Sequence, residues 1–243
     1  MAKESLFIGD LRLDGRKNDE IRELDITIDV VKDSNGSAMV SMGETKAIAW
    51  INGPREGKSK SFDNKGNIKC IFSLAPFSTL VRKKDYKRDL KMREFSKTLK
   101  DIFEQVILLE LYKKSEIVIN VLITQSDGSY KSAAINAVTL ALINSGILMK
   151  DTVLGMSVGL HNDKTTSIST IKTIFDLQLQ EEKENIPLLN VAYMPHKRKF
   201  IFLELLNAKT PYDQTDVLMK DSEKACEKLF EEIEKYLKYE YIY

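Results

Sequence analysis

Histidine and cysteine are almost absent from this chain, two of each in 243 residues, and that scarcity removes several kinds of chemistry at once. Cys70 and Cys226 lie far apart with no ligand-type spacing. Neither a disulfide framework nor a zinc knuckle is expected, and both read as buried or inert thiols. His161 and His196 are too few for a His-rich metal site or for a nucleophile and base pair, and they read as loop residues; no metal site is expected. An excess of one charge is missing too. The 37 basic and 36 acidic side chains cancel, so any contact with nucleic acid has to come from local clusters rather than from a globally basic protein. No apolar run approaches the roughly 20 residues that span a bilayer. Met1-Ala2-Lys3-Glu4-Ser5 lacks the charged-then-apolar pattern of a secretory signal, and a soluble intracellular protein with no membrane partner is the expectation. Short-period repeats, low-complexity segments and Pro- or Ser-rich linkers are also lacking, which points to one domain over residues 1–243.

What is present is enough apolar residue, 43% of the chain, to bury a substantial core. Ile26 to Val31 alternates apolar and polar residues, Asp33-Ser34-Asn35-Gly36 offers turn chemistry, and Ser37 to Met42 alternates again, which predicts a hairpin. Thr45 to Ile51 and Lys69 to Leu74 read as two further strands. The first is closed by Gly53-Pro54, and a polar loop, Arg55 to Asn67, separates them. Between Arg93 and Leu111 the residues Phe95, Leu99, Ile102, Phe103, Val106 and Leu109 recur at three- and four-residue steps, the period of an amphipathic helix. Ile117 to Ile123 is a β-branched strand. A second helix starts near Lys131, and its alanine-rich body from Ala133 to Ala141 lets it lie close against a sheet. Val153 to Leu160 predicts a strand, His161-Asn162-Asp163-Lys164 a turn, and Leu188 to Tyr193 and Lys199 to Leu206 two more strands. Leu218, Ala225, Leu229, Ile233 and Leu237 mark one stripe of a closing helix from Asp213 to about Tyr239. This order predicts a mixed α/β layer structure with helices packed on mixed sheets.

Three stretches in order carry a likeness to a known family: Leu11-Arg12-Leu13-Asp14-Gly15-Arg16, Asn35-Gly36-Ser37-Ala38, and Gly43-Glu44-Thr45-Lys46 running on to Gly53-Pro54-Arg55-Glu56. Ala75-Pro76-Phe77-Ser78, Asn136-Ala137-Val138-Thr139-Leu140-Ala141 and Gly146-Ile147 follow at workable spacing. Together they resemble the RNase PH family as it occurs in the RNA exosome, over about Leu11 to Leu160. The resemblance implies the RNase PH fold, with two βαβ-type halves over about 11–150 and 151–243. It implies a six-membered ring in which other RNase PH-like subunits flank this one around a channel for single-stranded RNA. It further implies cap subunits with RNA-binding domains, a separate hydrolytic nuclease, and residence in the nucleus, including the nucleolus, and the cytoplasm.

Active family members attack the terminal phosphodiester with inorganic phosphate, so they must hold an extra anion beside an anionic backbone. The resemblance places that anion at a Gly-Ser-Arg-type step opening the alanine-rich helix, where free N–H groups and the macrodipole favour phosphate. Aligned through Asn136, the step reads Ser129-Tyr130-Lys131. Lysine lacks the two-point guanidinium fork, and tyrosine puts a ring where a small hydroxyl is expected. The bland alternative is that Ser129 and Ser132 cap the helix while Lys131 is solvated. The family also carries two acids six positions apart, and the corresponding stretch is Thr165 to Asp176, where only Asp176 is acidic. A lone carboxylate does not replace a positioned pair, so Asp176 is the one catalytic candidate and the expectation is a chain without catalysis. No cofactor is expected, with phosphate and magnesium required only if the chain is an active phosphorolytic 3′ to 5′ exoribonuclease.

Basic residues gather at Arg55, Lys58 and Lys60, and more densely at Arg82, Lys83, Lys84, Lys87, Arg88, Lys91 and Arg93. Such a cluster grips a single-stranded backbone whatever its sequence. The resemblance places RNA contacts in the second cluster, at Arg82, Lys83, Lys87, Arg88 and Lys91, with Leu90 standing where an arginine is expected. A solvated basic loop is the alternative.

Overall fold

The computed structural model describes residues 7–8, 11–57, 65–80, 82, 89–163, 170–184, 186–207 and 212–242. A small hairpin, β1 (Phe7–Ile8) and β2 (Leu11–Arg12), opens the chain. It leads into a five-stranded sheet made of β3 (Leu24–Ile28), β4 (Gly36–Met42), β5 (Thr45–Glu56), β6 (Asn67–Leu74) and β7 (Ser115–Gln125). The spatial order is β3-β4-β5-β7-β6, and only β6 and β7 run parallel. The crossover between them is α1 (Leu90–Val106), so β6-α1-β7 is a βαβ unit. After α2 (Tyr130–Asn144) the chain builds a four-stranded sheet from β8 (Leu154–Asp163), β9 (Thr170–Phe175), β10 (Leu188–Met194) and β11 (Lys199–Leu206), in the order β11-β10-β8-β9. The described pairings of this second sheet are all antiparallel. A one-turn helix, α3 (Leu179–Lys183), interrupts it, and α4 (Tyr212–Ile242) ends the chain.

The apolar pattern explains the layering. In α1, Met92, Phe95, Leu99, Ile102, Phe103 and Val106 are buried, which is the stripe the three- and four-residue spacing predicts. Asp89 caps its start by accepting a hydrogen bond from the Lys91 N–H at 3.1 Å. No such stripe exists in α2, where every residue from Ser132 to Leu142 is buried, because the helix lies between the two sheets. Alanines make that sandwich possible. A side chain at Gly155 of β8 would come within 2.8 Å of the Ser132 carbonyl, so sheet and helix meet at backbone distance there. The Asn136 amide completes the seam, donating to the Gly155 carbonyl at 3.1 Å and accepting from its N–H at 2.7 Å. On the far face of the second sheet, α4 buries Leu218, Ala225, Leu229 and Ile233. The fold is mixed α/β as expected, in the layer order sheet, helices, sheet, helix, around a core that runs from Ile26 to Ile233.

Some local expectations change. β5 does not stop at Ile51 but continues to Glu56, with a register break between Asn52 and Arg55 that absorbs the donor missing at Pro54. His161, Asn162 and Asp163 belong to β8 rather than to a turn. β9 and α3 have no counterpart in the sequence reading. The helix expected to reach Leu111 stops at Val106, followed by a short 3₁₀ turn at Leu109–Leu111.

The two sheets are fastened by arginines from the N-terminal segment. Arg12 is only 1% exposed. Its Nε and Nη2 donate to the two carboxylate oxygens of Glu181 on α3, and its Nη1 and Nη2 donate to the carbonyls of Phe175 and Asp176. Removing one partner of a buried ion pair strands the other charge in the interior. Arg12→Ala is therefore expected to lower unfolding free energy by about 3–5 kcal/mol, measured by urea denaturation. A loss under about 1 kcal/mol would show that the pair does not hold the segment down.

Candidate functional site

The turn before α2 is built by close approach. Gly128 has φ +82°, and a side chain there would come within 2.5 Å of the Leu177 carbonyl, so residues 126–129 close directly against the 177–179 segment. Ser129 follows in the left-handed region at φ +50° and is held by its neighbours rather than by the helix. Its hydroxyl donates to the Leu177 carbonyl at 2.8 Å, and its N–H donates to Glu182 Oε1 at 2.7 Å. Ser129 thus makes no side-chain cap of α2, and the Ser132 hydroxyl pairs with that of Ser157 at 2.7 Å instead.

Beside this step lies a cleft of about 370 Å³ lined by Lys91, Glu94, Phe95 and Thr98 of α1, Ser129, Tyr130 and Lys131 of α2, and Glu182, Leu188, Asn190, Glu204 and Leu206. Tyr130 forms an aromatic wall with Phe72 and Phe95, ring centroids 6.1 and 6.4 Å away, and burial pushes its phenol up to about 12. The Lys131 ammonium sits 5.6 Å over the Phe95 ring and donates to Glu204 Oε2 at 2.5 Å. It is therefore not the solvated cation of the bland alternative. Glu204 is fixed further by a chain of polar side chains. Ser132 bonds Ser157, Ser157 donates to Asn190 Oδ1 at 2.8 Å, and Asn190 Nδ2 donates to Glu204 Oε2 at 3.0 Å.

Two acids thus face the Ser129–Lys131 step, and the sequence reading missed both. Glu204 is hidden in an apolar strand, and Glu182 in the charged run Glu181 to Asn185. The signal that would have found them is strand pairing, which sets Glu204 opposite Asn190. Asp176, the acid expected in the site, is not among the residues lining the cleft. Its side chain is 0% exposed, and both its oxygens are taken by Arg22, at 2.8 Å from Nε and 2.6 Å from Nη2. Arg22 also donates to the Asp127 carbonyl at 2.9 Å, so this pair secures the turn that leads into α2.

Of the residues expected to touch RNA, Lys91 stands at the cleft and Arg82 is exposed, while Lys83, Lys87 and Arg88 lie outside the described residues, as do Lys58 and Lys60. His196 sits in a turn and meets Asp151 at 2.8 Å. Both cysteines are free thiols, Cys226 buried and Cys70 partly so. Burial raises the pKa of each, to about 12 for Cys70, which keeps them protonated and inert.

The electrostatics of the cleft set its chemistry. Three carboxylates, Glu94, Glu182 and Glu204, line it against two ammonium groups, Lys91 and Lys131. Phosphate, a dianion near neutral pH, meets an excess of like charge there and, among the described residues that line the cleft, no two-point donor of the guanidinium kind. The residues present do not fit it. Among the described residues no group of three or more His, Cys, Asp or Glu side chains is gathered to hold a metal ion.

Burial raises the Glu182 pKa, outweighing the lowering by the Ser129 N–H, Arg22 and Lys131. The native state consequently holds that proton more tightly than the unfolded chain. Stability falls as pH rises through the carboxylate range, and the cost is complete above the folded pKa. Glu182→Gln keeps an oxygen for the Ser129 N–H and removes the charge. The variant is expected to melt higher than wild type at neutral pH, with the gap closing in acid. A lower melting point at neutral pH would show that the charge is stabilised instead.

Comparisons with known proteins agree on one family. Residues 20–148 match the RNase PH model, described as the 3′ exoribonuclease family, domain 1. The exosome complex component Rrp41 of Pyrobaculum islandicum is 37% identical over 207 residues, covering 84% of this chain and 81% of its own length. The Arabidopsis thaliana RRP41 homologue is 34% identical, with 93% and 91% covered. Among solved structures, rice Rrp46 superposes with a TM-score of 0.77 at 20% identity, covering 90% of this chain and 97% of that one. An Archaeoglobus fulgidus exosome with RNA bound to the active site superposes with a TM-score of 0.78 at 17% identity, covering 93% of each.

Proposed function

The chain belongs to the RNase PH family of 3′ exoribonucleases, and from that membership we propose that it is a core subunit of an RNA exosome that guides single-stranded RNA for 3′ to 5′ processing and does not cleave it. The exosome assignment is supported by relatives named as exosome components that match most of this chain at 33–38% identity. Its partners are then other RNase PH-like subunits in a six-membered ring, cap subunits with RNA-binding domains, and a hydrolytic nuclease supplied by another chain. It works in the nucleus, including the nucleolus, and in the cytoplasm. RNA is met by Lys91 at the cleft mouth and by the basic segment before it, with Arg82, Lys83, Lys87 and Arg88 gripping the backbone through counterion release.

One observation carries the loss of chemistry: the cleft corresponding to the phosphate site already contains its own anions. Glu182 takes the Ser129 N–H, and Glu204 takes the Lys131 ammonium. Phosphorolysis needs a phosphate oxygen positioned for attack. A phosphate ion would have to displace two carboxylates that are held in place by α3 and by the Ser132, Ser157 and Asn190 chain. One feature favours the rival reading of an active phosphorolytic exoribonuclease, namely a Glu182 carboxyl of raised pKa beside Lys131, which is what a general acid requires.

A 5′-labelled single-stranded RNA with a free 3′ end separates the two readings. The pure protein, alone and assembled with its neighbouring ring subunits, is expected to release no nucleoside diphosphate when phosphate and magnesium are supplied. Phosphate-dependent release by this protein that disappears in Glu182→Gln would make it an enzyme.

A further inference from the structure

We propose that the end of the molecule remote from the cleft is a docking surface for an acidic peptide segment of a partner protein, one that carries a large apolar side chain among its carboxylates. Three segments meet there: residues 109–114, which hold the 3₁₀ turn, the loop 146–152 between α2 and β8, and the turn 195–199 between β10 and β11. The loop is the hub. Its Leu148 carbonyl accepts from the Leu108 N–H at 3.1 Å, and its Leu148 N–H donates to the Tyr112 hydroxyl at 3.0 Å. On the other side, its Asp151 carboxylate accepts from the Lys197 N–H at 2.9 Å and meets His196 Nδ1 at 2.8 Å. Lys91 and Asn190, which line the cleft, lie roughly 20 Å away, toward the opposite ends of α1 and β10.

These segments carry Lys113, Lys114, Lys150, Lys197, Arg198 and Lys199, all exposed, and Glu110 is their one exposed acid. In a chain whose charges cancel, such a local excess attracts anions. Asp151 does not offset it, because its side chain is 1% exposed and taken up by the Thr152 and Lys197 N–H groups and by His196. It pins the turn instead, where Arg198 sits in the left-handed region at φ +50°, so the cations are presented on an ordered turn and not on a loose tail. Lys150 is steadied by the Gln105 carbonyl at 2.9 Å. Beside the cations stand two leucines, Leu111 at 60% and Leu148 at 55% exposure. An exposed apolar pair rimmed by charge marks a contact with another protein. A peptide suits this face better than RNA, because the rings beside it are engaged, His196 edge-on to Phe230 at 5.2 Å and Tyr112 through its hydroxyl, and leucines give a base no stacking platform. Three residues of loop carry the chain from Leu148 to Asp151, at most about 10 Å. One short extended segment therefore spans both parts, with an apolar side chain on the leucines and carboxylates on Lys150 and the turn.

The test is fluorescence polarisation of the full-length protein with a short labelled peptide of aspartate, glutamate and leucine, beside one version with the acids changed to amides and one with leucine changed to serine. The acidic leucine peptide is expected to bind saturably and more weakly as salt rises, and each altered version to bind less tightly. Lys150→Glu combined with Arg198→Glu should cost on the order of tenfold in affinity, the scale that a few weak exposed ion pairs set. Lys235→Glu combined with Lys238→Glu makes the same change of charge at the exposed end of α4 and should leave binding as in wild type. Leu148→Ser should weaken the leucine peptide and leave the serine peptide unaffected, which couples the two leucines directly. No saturable binding by wild type would overturn the surface. So would equal losses in the two double variants, which would reduce the effect to overall charge. Displacement of the peptide by an equal concentration of single-stranded RNA would give the face to nucleic acid, and loss of peptide binding on assembly with neighbouring ring subunits would give it to one of them; either result overturns the proposal.

Discussion

Two buried arginines hold the 175–182 segment against the entry to α2, and everything said of the cleft depends on them. Arg22 grips both oxygens of Asp176 while donating to the Asp127 carbonyl, and Arg12 grips both oxygens of Glu181. Charged pairs of this kind gain little over apolar packing, because desolvation cancels much of the attraction. What they do supply is position. Glu181 and Glu182 are adjacent on a helix of one turn, so fixing the first against Arg12 aims the second at the Ser129 N–H. A helix that short has almost no stability of its own. Its capping box, in which the Glu181 side chain accepts from the Gln178 N–H, and the Arg12 pair are what keep it formed.

Helices and most strands were legible in the sequence for a plain reason: their apolar residues repeat at the period of the element that buries them. Met92 to Val106 does so on one face, and the β-branched core of β7 does so along its length. The Ser129-Tyr130-Lys131 step is located by the family resemblance, aligned through Asn136 of the alanine-rich helix that follows it. The acids were not legible. Asp176 is the one acid in the stretch that the resemblance aligns with the family's acidic pair, but its burial depends on Arg22, 154 residues earlier in the chain. Glu204 lies in Lys199-Phe200-Ile201-Phe202-Leu203-Glu204-Leu205-Leu206, which reads as an ordinary strand until β10 brings Asn190 beside it. β9 and α3 escaped notice because six residues and five residues offer too little periodicity to stand out.

On the reading proposed above, the cleft at the start of α2 is an anion site filled from within. Tyr130 extends an aromatic wall made with Phe72 and Phe95, Lys131 is spent on Glu204, and Glu182 occupies the N–H at the turn. The β6-α1-β7 unit, the α2 sandwich and the second sheet surround it. On the same reading, RNA is met by Lys91 at the start of α1 and by the basic residues that precede it in sequence.

The most direct measurement is a calorimetric titration of inorganic phosphate into the pure full-length protein at neutral pH with magnesium present. The internal carboxylates predict no saturable binding in the millimolar range. Saturable, stoichiometric binding that vanishes in Lys131→Ala would show a working anion site and contradict the account.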